Sequence, residues 1–512
     1  MNCKTVKIVS LEELLYYAMF SVLISLKGLG LDEGSTLFRL GLGCAIFLFG
    51  AKIIVGKYSV KELFVIALGG LWGIYVFFNV GSFSIFIYML IIFGMKKISV
   101  SKVMQIGVAV YAVCFFITIT LAILGERSGV LLVHEKFGLG PILRESLGYT
   151  HPNVLHVTYI VFMVFILYNV TQENAFKAIV ALMLGNIFIF LYSLSYTGVM
   201  ISVGLVCVYV YFLYRKKISK AERLLIKSIF PLCIFISTII ANLIEGKAYG
   251  ILNKVFNNRI WAIKVYFKWY QQTFWGQKII KENYSLDNSF IYALAWYGIV
   301  FFVIMIIAYW ILIDKYLRED RRKELAIIIT FLIAGMTEQF LFNASIKNIT
   351  VIFLGDVFFR SIQDTSKDIK PADKYNRVFK VQLQKYLLIC ERMKQLNWKK
   401  IIISGMIIYV PMVLFIFSLP TSQKQHIYVN ERLCDCGGET VPLEQIIQTE
   451  DTLIIGNITT ENQYYYFTKE NSNLVTIMDY RYKLSLSLYI SVFIVIVAVS
   501  AWKWINKLKK YE

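Results

Sequence analysis

Residues 227–244 read KSIFPLCIFISTIIANLI and residues 290–313 read FIYALAWYGIVFFVIMIIAYWILI, and between them runs a polar, aromatic stretch from Glu245 to Ser289. Each flank is a continuous apolar run of the length, about 20 residues, that crosses a bilayer's hydrocarbon core as a helix. A transmembrane β-barrel would instead show short alternating segments. The flanks therefore argue for membrane-spanning helices, and the stretch between them must meet the bilayer at its edge.

Composition supports the same class. The chain has 512 residues, of which 58% are hydrophobic and 17% charged, with a mean hydropathy of +0.62, well outside soluble-domain usage. Windows of about 19 residues place spanning segments near 13–30, 37–55, 63–79, 82–95, 103–125, 152–170, 176–194, 198–214, 227–244, 290–313, 325–342, 345–359, 401–419 and 484–505. The expectation is an all-α polytopic membrane protein of about fourteen transmembrane helices, with a long outer loop and a small outer β-rich insertion near the C-terminus. Segment 345–359 is short enough to be broken or re-entrant.

The formal net charge of +20 is a topology signal before it is a nucleic-acid signal, because the basic residues fall in short loops. Threading from a cytoplasmic start puts Lys57, Lys61, Lys96, Lys97, Lys102, Arg215 to Lys217, Arg318 to Lys323, the stretch 360–400 and Lys507 to Lys510 on one face. Asp32, Glu33, the loop 126–151, the loop 245–289 and the stretch 420–483 then lie outside. With Lys4 and Lys7 ahead of it and no small-residue cleavage site, the first segment reads as an uncleaved helix. The eight cysteines form no disulfide framework or zinc spacing, although the neighbouring Cys434 and Cys436 are open to oxidation outside the cell.

The domain organisation follows: a transmembrane domain over 1–360, a cytoplasmic basic segment over 361–400, a helix at 401–419, an extracellular module over 420–483, and a final helix with cytoplasmic tail over 484–512. The stretch 245–289 carries Lys254, Arg259, Lys264, Lys268, Lys278 and Lys281 on the side where positive charge is scarce. From 259 to 275 the apolar residues recur at helical spacing, as in an amphipathic helix lying in the interface. An aromatic belt that anchors the loop is the alternative reading of its aromatics. The stretch 360–400 alternates charge and hydrophobe, which suits a helix near acidic headgroups or a solvated linker.

The outer polar residues include Glu126, Arg127, His134, Arg144, Tyr149, Thr150, His151 and Asn153 from one loop, Arg259 and Asp287 from the next, and Glu338, Asn343 and Lys347 from the last. Arginine suits a phosphate or pyrophosphate through its fixed charge and bidentate fork. Glu338 lies in the apolar run Leu325 to Phe342, where a carboxylate is costly and marks a functional site or a pairing with Lys347 or an outer arginine. His151 and Asn153 flank Pro152, a pattern that helix capping also explains. His156 reads as a packed histidine. No nucleotide loop or metal-ligand cluster stands out.

Taken in order, Leu147-Gly148-Tyr149-Thr150-His151-Pro152-Asn153, Ser195-Tyr196-Thr197-Gly198, Asn258-Arg259, Phe274-Trp275-Gly276, Leu286-Asp287-Asn288-Ser289-Phe290 and Tyr297-Gly298-Ile299 resemble the Wzy-type polysaccharide polymerase and O-antigen ligase superfamily. The resemblance covers residues 10–360, and the segment from 361 onward has no counterpart in it. It implies a metal-independent, cofactor-free glycosyltransferase on the outer face of the bacterial plasma membrane. Its donor and acceptor would be undecaprenyl-pyrophosphate-linked oligosaccharides, polymerised into capsular, exopolysaccharide or O-antigen-like polymer.

By position the resemblance puts the pyrophosphate on Arg259, helped by Arg144 or Arg127, and the base on Glu338 or His151. It surrounds them with Tyr149, Asn153, Tyr196, Thr197, Asp287, Asn288, Asn343 and Lys347. Partners implied are membrane lipids, a flippase and chain-length regulator proteins, with no nucleic acid. The family commonly has arginine after the serine where this chain has Tyr196, which leaves more of the phosphate chemistry to Arg259.

Four other readings remain, the weakest a purely structural membrane scaffold, which gives no reason for Glu338 or for the order of the motifs. An O-antigen ligase shares the donor chemistry and differs in acceptor. A C-type membrane glycosyltransferase would place its acid on the first outer loop, at Asp32 or Glu33, and substituting both separates it from a polymerase. A lipid-linked oligosaccharide flippase would show two similar halves and charges inside its bundle.

Overall fold

The computed structural model describes residues 6–124, 126–127, 129–135, 141–256, 258–279, 286–362, 378–382, 398–419, 426–428, 440–442, 446–448, 452–455, 458–461, 465–467 and 473–508. Most of them are helical. In chain order the helices are α1 (Leu11–Gly28), α2 (Thr36–Val55), α3 (Val60–Val80), α4 (Ser84–Gly94), α5 (Val100–Ile123), α6 (Pro152–Asn169), α7 (Gln172–Ser193), α8 (Tyr196–Tyr214), α9 (Lys220–Phe235), α10 (Ala241–Leu243), α11 (Gly246–Val255), α12 (Arg259–Trp269), α13 (Ser289–Arg318), α14 (Arg322–Ala334), α15 (Thr350–Ile362), α16 (Trp398–Ser418) and α17 (Asn473–Leu508).

Among the described residues eight segments are long and apolar enough to cross a membrane: α2, α3, α5, α6, α7, α8, the run Lys220–Leu243 and α13. That is the make-up of an all-α, multi-pass membrane protein. Other expected crossings differ for local reasons. The 18-residue α1 carries Glu12, Glu13 and Lys27, and α4 is 11 residues long. The runs expected at 325–342 and 345–359 resolve as α14 and α15, each 13 residues, joined by the non-helical connection 335–349. Glu338 and Lys347 therefore lie on that connection, outside the spanning helices.

Serine starts several helices. Ser10 with Glu13, Ser59 with Glu62 and Ser219 with Glu222 each form a capping box, satisfying amides that have no partner within the helix. The core is formed by α1, α4, α5, α6, α13, α14 and α15, with Met19, Leu23, Ile87, Val103, Phe165, Leu312, Phe331 and Phe353 fully buried. At the end where α2 finishes, Lys52 pairs with Glu12 at 3.1 Å and Lys96 with Glu62 at 2.5 Å, so these buried charges are neutralised in place.

Strand β1 (Val6–Ser10) pairs antiparallel with Val378–Gln382, Val6 opposite Gln382. Those five residues of the basic stretch are thus a strand, where a helix was one expectation; residues 363–377 and 383–397 lie outside the described residues. Strands Leu131–Glu135 and Pro141–Glu145 form an antiparallel hairpin. Two three-stranded antiparallel ladders occupy the described parts of 426–467. Lys281, Cys434, Cys436 and the side chain of His134 lie outside the described residues.

One break positions the candidate site. Helix α13 is interrupted at Gly298, with φ 81° and ψ 177°, and the strap 273–276 fills the interruption. Ile299 N donates to Thr273 O at 3.0 Å and Val300 N to Phe274 O at 3.1 Å, while Asn79 Nδ2 donates to Gly276 O at 3.0 Å. A Cβ on Gly298 would sit 2.4 Å from Gly276 N, and one on Gly276 would sit 2.2 Å from Trp296 O. Only glycine admits so close an approach at positive φ. The break therefore ties the polar stretch to the core of the bundle.

Candidate functional site

The polar stretch begins with two helices, α11 and α12. Of the amphipathic helix expected over 259–275, Arg259–Trp269 is helical, as α12, but its apolar residues are not gathered on one face: Ile260, Ile263 and Tyr266 are buried while Trp261 and Trp269 are exposed; the chain then runs non-helically as the strap. Trp261, Trp269, Phe274 and Trp275 are exposed, as anchoring aromatics would be, whereas Tyr266 is buried. Asn258 takes a left-handed conformation, φ 63°, just ahead of Arg259, the first residue of α12. That turn aims the arginine toward the start of α13.

Arg259 Nη2 lies 3.1 Å from Glu338 Oε1 and 3.4 Å from Asp287 Oδ2. Thr197 Oγ1 donates to the same Glu338 oxygen at 2.9 Å and is 3.3 Å from Ser195 Oγ. Four segments that are distant in the chain thus meet at the Arg259–Glu338 pair. Thr197 reaches it because Gly198 lets the first turn of α8 sit against His156, where a Cβ would be 2.3 Å from the ring. His156 itself is buried between Ser193 Oγ at 2.9 Å and Asn186 Oδ1 at 2.8 Å.

The start of α13 holds the other side. Asn288 Oδ1 accepts from Phe290 N and Ile291 N, capping the helix. Its amide donates to Met336 O at 3.0 Å and Ser237 Oγ at 2.9 Å. Ser289 Oγ donates to Glu338 O at 2.5 Å and accepts from Leu341 N at 3.1 Å. The connection 335–349 is therefore bonded to the N-terminus of α13, and the Glu338 backbone is fixed.

Burial pushes the Glu338 carboxyl above the ordinary carboxylate range. Arg259, the Thr197 hydroxyl and His151 oppose that shift, and Asp287 adds to it as a like charge. One buried guanidinium facing two carboxylates is an arrangement suited to exchanging partners. Arg259 Nε is also buried with no hydrogen-bond partner among the described residues, and a guanidinium donor left so is costly.

No protein family's profile matches this chain, and no curated protein or solved structure matches it either.

Several expected site residues are engaged in contacts of the scaffold. Arg144 is buried, donating from Nε to Ser193 O at 2.8 Å and from Nη2 to Asn153 Oδ1 at 2.5 Å. His151 Nδ1 accepts from Asn153 N at 3.0 Å, capping α6, while remaining among the charges that Glu338 feels. Tyr149 donates to Gly28 O at 2.8 Å and Arg127 to Gly30 O at 3.5 Å, fastening that loop to the end of α1. Asn343 shapes its own turn, its Oδ1 accepting from Ser345 N at 3.0 Å and its carbonyl from Tyr88 at 2.5 Å. Tyr196 faces outward against Phe190.

Ser195 and Ser289 stood in the sequence only as members of motifs and Ser237 not at all; in the fold Ser289 bonds the Glu338 carbonyl, Ser195 the Thr197 hydroxyl and Ser237 the Asn288 amide. A serine beside a spanning run carries no distinctive signal. Among the described residues no three His, Cys, Asp or Glu side chains are grouped to hold a metal ion. A cavity of about 400 Å³ lined by Ser99, Tyr168, Arg321, Glu324 and Asp356 lies at the opposite helix ends. There Arg321 and Glu324 already pair at 2.7 Å.

Proposed function

We propose that this protein is a membrane glycosyltransferase that polymerises undecaprenyl-pyrophosphate-linked oligosaccharide repeat units on the outer face of the bacterial plasma membrane. About fourteen crossings, with the end of the bundle that carries residues 245–289 facing outward, belong to the same proposal. The observation that carries it is Arg259, held between Asp287 and Glu338 with its buried Nε unpartnered. A fixed cation with a spare donor, next to a carboxylate at the edge of an apolar bundle, suits a substrate whose tail is apolar and whose head is anionic.

The chemistry follows from those groups. The donor's pyrophosphate competes for the Arg259 guanidinium and releases Glu338 from its ion pair. Glu338 then takes the proton of an acceptor sugar hydroxyl while that oxygen forms a bond to C1 of the donor sugar. The C1–O bond to the pyrophosphate breaks, and the leaving group departs with the bonding electrons. Arg259 stabilises the charge that develops on it. Neither metal nor cofactor enters this proposal.

The test is polymer length in membranes. Arg259→Ala and Glu338→Gln, each expressed at wild-type level, should leave single repeat units on the lipid carrier; unchanged polymer rejects the assignment. Deletion separates the polymerase from an O-antigen ligase: single lipid-linked units accumulate in the first case, full-length polymer on its carrier in the second.

A further inference from the structure

Lys347 is a buried lysine with no ion-pair partner among the described residues, the nearby Glu338 being taken by Arg259. The residue is 3% exposed, and Nζ donates to Val154 O at 3.1 Å. Lys27, near the end of α1, is similar: its Nζ donates to Leu31 O at 2.9 Å and lies 4.6 Å from the Phe38 ring centroid. Among the described residues neither ammonium is ion-paired, whereas Glu338 is engaged by Arg259 and Thr197. The charged groups facing Lys347 are Lys27, Glu338 and Asp32; those facing Lys27 include Glu33 and Asp32.

We propose that Lys347 and Lys27 form a second anion subsite beside Glu338, which takes the anionic group of the acceptor substrate, either a second pyrophosphate headgroup or a sugar carboxylate. This rests on the lipid-linked donor reading above and assigns the other half of the reaction. A buried ammonium with one carbonyl partner has two N–H bonds to give, and an isolated buried charge is costly until an anion joins it. Burial, with Lys27 as a neighbouring like charge, lowers the Lys347 ammonium to about 7. An arriving anion reverses both effects, supplying a counter-charge and acceptors, so binding draws a proton onto Lys347 near neutral pH. With one anion on Arg259 and another on Lys347, Glu338 stands between donor and acceptor, where a base is needed.

The experiment is a calorimetric titration of the full-length protein in lipid nanodiscs with farnesyl pyrophosphate. The wild type should bind two per chain, and Lys347→Met, Lys27→Gln and Arg259→Ala should each weaken one site at least tenfold. The wild-type heat should depend on the buffer's ionisation enthalpy at pH 7, and Lys347→Met should remove that dependence. Lys27 is only partly buried, so Lys27→Gln remains informative if Lys347→Met misfolds. One farnesyl pyrophosphate site together with saturable methyl glucuronide binding, lost in Lys27→Gln, identifies the carboxylate source. One site that Lys27→Gln leaves unaltered, with no glucuronide binding and no proton uptake, overturns the subsite. The polymerase reading fails separately, if Arg259→Ala still makes polymer.

Discussion

Arg259 and Glu338 are 79 positions apart in the chain and face each other at 3.1 Å, Nη2 to Oε1, with side chains 12% and 9% exposed. Such a pair stabilises the bundle whether or not it catalyses, and the two roles separate in a double-substitution cycle. Arg259→Met should destabilise by about 3–5 kcal/mol, because it strands a buried carboxylate. Arg259→Met with Glu338→Gln should recover most of that melting temperature and remain inactive. Arg259→Ala should slow transfer by about 10²–10³-fold, as expected when a donor to developing charge is lost. Thermal unfolding in detergent, beside polymer formation from lipid-linked units, reads both. A double variant that regains activity assigns the pair to structure alone.

The pH dependence of transfer should report Glu338. Burial raises its carboxyl, and the base must be ionised, so the rate rises with pH through a midpoint above the ordinary carboxylate range. Asp287 raises it further as a like charge. Asp287→Asn should therefore move the acid limb to lower pH, and Glu338→Gln should abolish it. An acid limb that stays in place in Asp287→Asn contradicts Glu338 as the base.

Apolar runs are legible in a sequence because hydropathy is a property of the local chain, and helices such as α5 and α13 lie where those runs are. The end of α14 at Ala334 is not legible, since Leu325 to Phe342 stays largely apolar through the connection. That end is set by distant partners: Ser289 N donates to Gly335 O at 2.7 Å and Asn288 to Met336 O at 3.0 Å. The same limit governs the site. A carboxylate in an apolar run singles out Glu338, and an arginine in an outer loop singles out Arg259, but nothing local pairs them. Arg144 carries the same chemical signal as Arg259 and is bonded instead to Ser193 O and Asn153. Residue type signals capacity, and tertiary contact decides which capacity remains free.

Thr197 should set the working pH without carrying the reaction. Its hydroxyl donates to Glu338 Oε1 at 2.9 Å and so favours the ionised carboxyl. Thr197→Val keeps the shape and removes that bond, worth about 0.5–1.5 kcal/mol. The acid limb should move to higher pH by roughly half to one unit, and Thr197→Ser should restore it. A Thr197→Val enzyme that loses activity equally at all pH values would show that the hydroxyl acts elsewhere.

Gly298 should be needed for folding, and through folding for function. Its φ of 81° already disfavours a side chain, and a Cβ there would meet Gly276 N at 2.4 Å and Phe274 O at 2.6 Å. Both obstacles are backbone, which cannot rotate away. Gly298→Ala should therefore either close the helix and expel the strap 273–276 or retain the break under strain of about 1–3 kcal/mol. Expulsion would unseat the bonds from Ile299 and Val300 to Thr273 and Phe274, and with them the support of the polar stretch that carries Arg259. The expected readouts are a lower melting temperature and faster protease cleavage within residues 270–279, with Gly276→Ala behaving alike because Trp296 O lies 2.2 Å from its own Cβ position. Wild-type melting and cleavage in Gly298→Ala would mean that the strap is not held by the break.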